Sequence, residues 1–138
     1  MGPAPHAVSG LEWGTRNMIR THGLTHIALT VADVDRAVRF YETAFGAKEY
    51  ARGDGWAQVL GPGPHDVLAF EKGTPTQPEG EHVRHFGFRL VSPDDIDDAV
   101  RELESAGATL VARGDHGPGL PYAYVRDPDG YEIEVWFE

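Results

Sequence analysis

Thr25-His26-Ile27-Ala28-Leu29-Thr30-Val31 alternates polar and apolar residues, and Arg84-His85-Phe86-Gly87-Phe88-Arg89-Leu90-Val91 repeats the plan later in the chain. Each stretch sets a histidine at the start of a strand and runs on into a helix-like pattern. The two-residue period of a strand puts His26, Ala28 and Thr30 on one face and Ile27, Leu29 and Val31 on the other. In the same way His85, Gly87 and Arg89 share one face, and Phe86, Phe88 and Leu90 share the opposite one. The chain closes on Asp127-Pro128-Asp129-Gly130-Tyr131-Glu132-Ile133-Glu134, a turn entering a last strand. If a pseudo-twofold relates the repeats, His26 and His85 face each other across one cavity, with Glu134 able to join them. Two imidazoles and one carboxylate make a divalent-metal site with open positions.

Working outward, Val34, Ala37, Val38, Tyr41 and Phe45 recur at helical spacing, with Asp33 as N-cap and Gly46 just past the end. Strands are predicted at 48–52, 56–60 and 67–71, separated by Gly53-Asp54-Gly55 and Gly61-Pro62-Gly63-Pro64. A Pro/Gly/polar connector covers 73–81. In the second unit Ser92-Pro93-Asp94-Asp95 starts a helix whose buried stripe is Ile96, Ala99, Val100 and Leu103, and Gly107 ends it. Strands follow at about 109–113, 121–126 and 131–137. Residue identity echoes the plan: Ala37-Val38-Arg39 returns as Ala99-Val100-Arg101, and Gly46-Ala47 as Gly107-Ala108. The expected fold is therefore α+β, two tandem βαβββ units whose curled sheets surround a cleft. Ile27, Leu29, Phe86, Phe88, Ile133, Val135 and Phe137 form the expected core row, and the rows holding His26, His85 and Glu134 line the cleft. Residues 1–20 stand outside both repeats as an N-terminal extension; 21–138 form a single domain, with units at about 22–72 and 82–138.

The bulk numbers narrow the partners. The 138 residues are one domain's worth of chain, 41% hydrophobic and 25% charged, as in ordinary globular proteins. With no cysteine, disulfides, zinc-thiolate clusters and thiol nucleophiles are excluded, and the composition is compatible with a reducing cytoplasm. A formal charge of −10 opposes binding to nucleic acid or an anionic membrane, since both require a basic face. No apolar run approaches the roughly 20 residues that span a bilayer, and the N-terminus lacks the order of a signal peptide.

From about residue 22 to 138 the chain resembles the vicinal oxygen chelate superfamily of glyoxalases, extradiol dioxygenases, fosfomycin-modifying enzymes, epimerases and bleomycin-type resistance proteins. The resemblance rests on His26-Ile-Ala-Leu with the Asp33-to-Gly46 helix, on His85-Phe-Gly-Phe, and on Asp127-Pro-Asp-Gly ending at Glu134. It implies a glyoxalase/bleomycin resistance/dioxygenase-like fold with a U-shaped cleft, in which a metal chelates two neighbouring oxygens of a small-molecule substrate. It also implies that His26, His85 and Glu134 are the metal ligands. Their nitrogen and oxygen donors suit Fe(II), the favoured ion, as well as Mn, Ni, Co or Zn. Glu71 is the only acid in the strand that would correspond to Glu134's; laying Pro64 on Pro128, however, puts Phe70 opposite Glu134.

The tail, Gly114-Asp115-His116 followed by Tyr124 and Glu134, resembles the terminal signature of extradiol ring-cleaving dioxygenases. That resemblance implies catalytic roles for His116, as a proton shuttle, and for Tyr124, as a hydrogen-bond donor to a metal-bound oxygen. Two departures stand beside it: Ala123 replaces a larger apolar residue, and Phe70 is near the place where such enzymes carry a further histidine. The leading expectation is thus extradiol dioxygenation. Its rivals are a glyoxalase- or epimerase-type lyase or isomerase and a metal-free antibiotic-binding protein. The fosfomycin type fits less well, because Ala28 stands where it carries threonine. Trp56, Gln58, Glu71, Arg89 and Trp136 are expected to line the substrate cleft. The family's habit implies a homodimer, with His26 from one chain and His85 and Glu134 from the other.

Overall fold

A computed structural model describes residue 20 and residues 24–75 and 85–138. The expected extension at 1–20 therefore lies almost wholly outside the described residues, as does most of the 73–81 connector. The element order is β1 (Ile27–Val31), α1 (Val34–Phe45), β2 (Lys48–Gly53), β3 (Trp56–Leu60), β4 (Val67–Lys72), β5 (Phe86–Arg89), α2 (Ile96–Ala106), β6 (Thr109–Asp115), β7 (Pro121–Arg126) and β8 (Glu132–Trp136). Two four-stranded mixed sheets result, ordered β1-β4-β3-β2 and β5-β8-β7-β6. In each, the first and last strands of a unit pair in parallel and the others run antiparallel. This is the α+β arrangement of two βαβββ units read from the sequence.

Local chemistry sets the helix ends. Asp33 accepts from the Arg36 N–H at 3.0 Å, an N-cap that satisfies an otherwise unpaired donor. Gly46 closes α1 in the left-handed region at φ 67°, and Gly107 does the same for α2 at φ 114°. The second helix differs from expectation at its start. Pro93–Asp95 forms a 3₁₀ turn, closed by the Asp95 N–H donating to the Ser92 carbonyl at 3.1 Å, and the α-helix begins only at Ile96.

Each helix covers one face of its sheet. Val31, Ala57, Val59, Phe70, Ala123, Val125 and Ile133 are buried beneath Phe40, Tyr41 and Leu103 of the helices. Of the expected core row, Leu29, Ile133 and Val135 are buried, while Ile27, Phe86, Phe88 and Phe137 are half-buried. For Ile27, Phe86 and Phe88 the reason lies at the junction of the units. Phe45 of α1 stacks on Phe88 of β5 with centroids 3.9 Å apart, beside an open groove of about 810 Å³ lined by Ile27, Phe86 and Val135 among others.

The Asp127–Tyr131 turn of the second unit is fastened to the first. Tyr41 donates its hydroxyl to Asp127 Oδ2 at 2.7 Å, and Asp127 Oδ1 accepts the N–H groups of Asp129 and Tyr131. Asp129 Oδ1 in turn accepts the Ala32 N–H and an Arg36 guanidinium N–H, while Tyr131 donates its hydroxyl to the Thr30 carbonyl. Among the described residues no helix is long and apolar enough to cross a membrane.

Candidate metal centre

Strand pairing gives the correspondence between the units. Both β2 and β6 carry a bulge at the same place, between Glu49 and Ala51 and between Leu110 and Ala112. Beyond it Gly53 faces Trp56 as Gly114 faces Tyr122, and Ala51 faces Gln58 as Ala112 faces Tyr124. On the inner strands Ala28 pairs with Ala69 as Gly87 pairs with Glu134, and Thr30 with Glu71 as Arg89 with Trp136. The residue corresponding to Glu134 is therefore Ala69, whereas the Pro64–Pro128 alignment points to Phe70. Phe70 lies on the opposite face, fully buried and stacked on Tyr41. Glu71 shares Ala69's face but stands two residues farther on, exposed, in the place that Trp136 takes in the second unit.

The second unit's free face concentrates the chemistry. Glu134 sits in the middle of β8 with its side chain only 10% exposed. Its two oxygens are differently engaged. Oε2 is 2.8 Å from His116 Nε2, a hydrogen bond, whereas Oε1 is 3.6 Å from His85 Nε2. The second distance is too long for a hydrogen bond, and it leaves two good lone-pair donors close together. A buried carboxylate whose ion-pair partners are imidazoles suits a divalent cation. The other ring nitrogen of His85, Nδ1, stands 3.7 Å from Glu132 Oε2. Tyr124 lies directly across from Glu134 in the β7–β8 ladder, and its ring meets that of His85 edge-on at 5.1 Å. Burial, followed by the charge of Glu134 and a hydrogen bond with it, raises the Tyr124 hydroxyl above its ordinary 10.0.

The structure thus brings His85, His116, Tyr124 and Glu134 together. It does not bring His26 to them. His26 precedes β1, exposed, with its Nδ1 2.8 Å from Thr25 Oγ1, and no acid among the described residues pairs with it. Within one chain, no three His, Asp or Glu side chains among the described residues are placed to hold a metal ion.

The remaining expected cleft residues are spread over both free faces. Trp56 lies over Gly53, and Gln58 accepts the Tyr50 hydroxyl at 2.7 Å. Arg89 pairs with Glu138 at 2.8 Å on the surface, and Trp136 lies against Gly87. Sequence reading missed Tyr122. Its ring stacks on His116 at 4.1 Å and 18°, and rests on Gly114, where an added Cβ would come within 3.0 Å of its hydroxyl. The available signal was the alternation Tyr122-Ala123-Tyr124-Val125, which puts both tyrosines on one face.

Comparison with known proteins identifies the family and the fold. The family model described as "Glyoxalase/Bleomycin resistance protein/Dioxygenase superfamily" matches residues 23–135. An uncharacterized protein of Pseudomonas aeruginosa is 35% identical over 119 residues, covering 80% of this chain and 85% of the relative. The 3-methylcatechol 2,3-dioxygenase of Pseudomonas putida is 29% identical over 141 residues, which take in 95% of this chain but only 45% of that enzyme. The chain therefore spans about half the length of that dioxygenase. Lactoylglutathione lyases and a metallothiol transferase are also among the relatives. Among solved structures, a glyoxylase/bleomycin resistance protein/dioxygenase domain from Frankia matches with a TM-score of 0.68 at 28% identity, covering 86% of this chain and 98% of that one.

Proposed function

This chain belongs to the glyoxalase/bleomycin resistance protein/dioxygenase superfamily, and from that membership we propose a metal-dependent enzyme that acts on a small substrate with vicinal oxygens, by extradiol-type cleavage of a catechol. The observation that carries the reading is the setting of Glu134. It is a buried carboxylate, met by His85 and His116 and faced across the ladder by Tyr124. The donor set fits a divalent ion held by His85 and Glu134, with His26 supplied by the second chain of a homodimer. His85 and Glu134 would hold an Fe(II) that supplies Lewis-acid and dioxygen chemistry.

The chain's own residues divide the remaining work. His116 is the group to accept a proton from a substrate hydroxyl, through Nδ1, because its Nε2 N–H donates to Glu134 Oε2. The Tyr124 hydroxyl, raised above 10.0, stays protonated at neutral pH and acts as a hydrogen-bond donor. Ala69, at the position corresponding to Glu134, leaves the first unit without a carboxylate there, which favours a three-ligand over a four-ligand site.

Protein purified without oxygen should retain a divalent metal, and Glu134→Ala should lose it; unchanged metal content in the variant would remove Glu134 as a ligand. With Fe(II) bound, oxygen uptake is expected on adding a panel of catechols. Bound Fe(II) without uptake would turn the reading towards lyase or isomerase chemistry. A protein that takes up no metal would instead be a metal-free binder.

A further inference from the structure

We infer that Tyr122 is a positioning residue, holding His116 against Glu134 and thereby setting the carboxylate for its metal; the inference rests on the metal-site reading above. His116 stands in the β6–β7 hairpin, just beyond the last residue of β6. Its backbone N–H donates to Leu120 O at 2.9 Å, which closes the hairpin but leaves the imidazole free to rotate. The His116 side chain is 42% exposed, so burial does not fix it either. Two rings supply the constraint. Tyr122 lies against one face of the imidazole at 4.1 Å and 18°, and Trp136 meets it edge-on at 6.1 Å and 86°.

Tyr122 is itself seated. Gly114, its partner across the ladder, leaves room for the ring to lie on the sheet, where a Cβ would come to 3.0 Å from the hydroxyl and 3.2 Å from Cζ. Tyr124 meets Tyr122 edge-on at 5.4 Å. The contacts therefore run Gly114, Tyr122, His116, Glu134 Oε2, and they leave Glu134 Oε1 turned towards His85. An outer partner of this kind sets the orientation of a ligating carboxylate, and its loss weakens metal affinity by about 10- to 100-fold.

The test is Co(II) binding to the metal-free full-length protein, read as a dissociation constant and as the visible d–d spectrum, with far-UV circular dichroism as a check on folding. Tyr122→Phe keeps the ring and should bind Co(II) like the parent. Tyr122→Ala should bind about 10- to 100-fold more weakly, with an altered spectrum, and His116→Ala should match it. If Tyr122 acts through His116, the double variant will be no weaker than His116→Ala alone. Gly114→Ala keeps every ring but lifts Tyr122, and should weaken binding in the same direction; it decides the matter if Tyr122→Ala does not fold. Parent-like affinity in Tyr122→Ala, or a double-variant loss equal to the product of the single losses, would overturn the inference. Parent-like affinity in Glu134→Ala would instead overturn the metal-site reading, and the inference with it.

Discussion

Tyr41 and Asp127 illustrate how a single buried pair links the two halves of the chain. Asp127 is 5% exposed, and burial raises its carboxyl above the ordinary 3.8 against the opposing pull of the Tyr41 hydroxyl and two backbone N–H donors. A raised acid favours the folded state most below the unfolded pKa, and that contribution is lost as pH climbs through the folded value. Tyr41→Phe removes one of the groups that lower the pKa, so the folded value rises further and the loss towards neutral pH grows. Urea unfolding of Tyr41→Phe should show a destabilisation of about 1–3 kcal/mol at neutral pH and a smaller one near pH 4. An equal loss at both pH values would mean that Asp127 is not charged against Tyr41. This pair was invisible in the sequence as an interaction. Tyr41 was legible as a core position from helical spacing and Asp127 as a turn residue, but nothing in either pattern pairs them across the chain. Tyr122 was hidden for a related reason: alternation told which face it shares with Tyr124, but not that a hairpin would fold His116 back onto its ring.

At the level of elements, most boundaries follow from the sequence because caps and turns are local chemistry. Asp33, Gly46 and Gly107 act at the positions their residue types suggest. The cost of losing one cap is measurable. Nothing lies within 4 Å of a Cβ added to Gly46, so Gly46→Ala should destabilise through left-handed backbone alone, by about 1–2 kcal/mol in denaturant unfolding. No change would mean that the helix end relaxes to another conformation. Correspondence between the units was harder to read. The turns between β3 and β4 and between β7 and β8 differ in length, so prolines that look equivalent along the chain are not equivalent across the sheets. Pairing of Ala28 with Ala69 and of Gly87 with Glu134 settles which residue matches which. Strand parity still carried through, since Glu71, Trp56 and Gln58 share one face of the first sheet.

For the whole molecule, the proposed site requires His26 of one sheet to meet His85 and Glu134 of another. The proposed dimer makes a prediction that activity is not needed to check. His26→Ala and Glu134→Ala variants should each fail to hold Co(II) alone. Unfolded, mixed and refolded together, they should regain intact sites, because a heterodimer combines His26 of one chain with Glu134 of the other. No recovery despite heterodimer formation would place all the ligands within one chain. Sheet order adds a consequence of the paired bulges. β2 and β6 form one outer edge of each sheet, and the bulges at Tyr50 and Val111 interrupt their regular ladder. A kinked edge is a poor template for an incoming strand. The other edges, β1 and β5, are unbulged, and each begins just after a histidine, His26 or His85. The bulges thus guard the β2 and β6 rims against sticking and leave β1 and β5 as the rims open to strand-to-strand pairing.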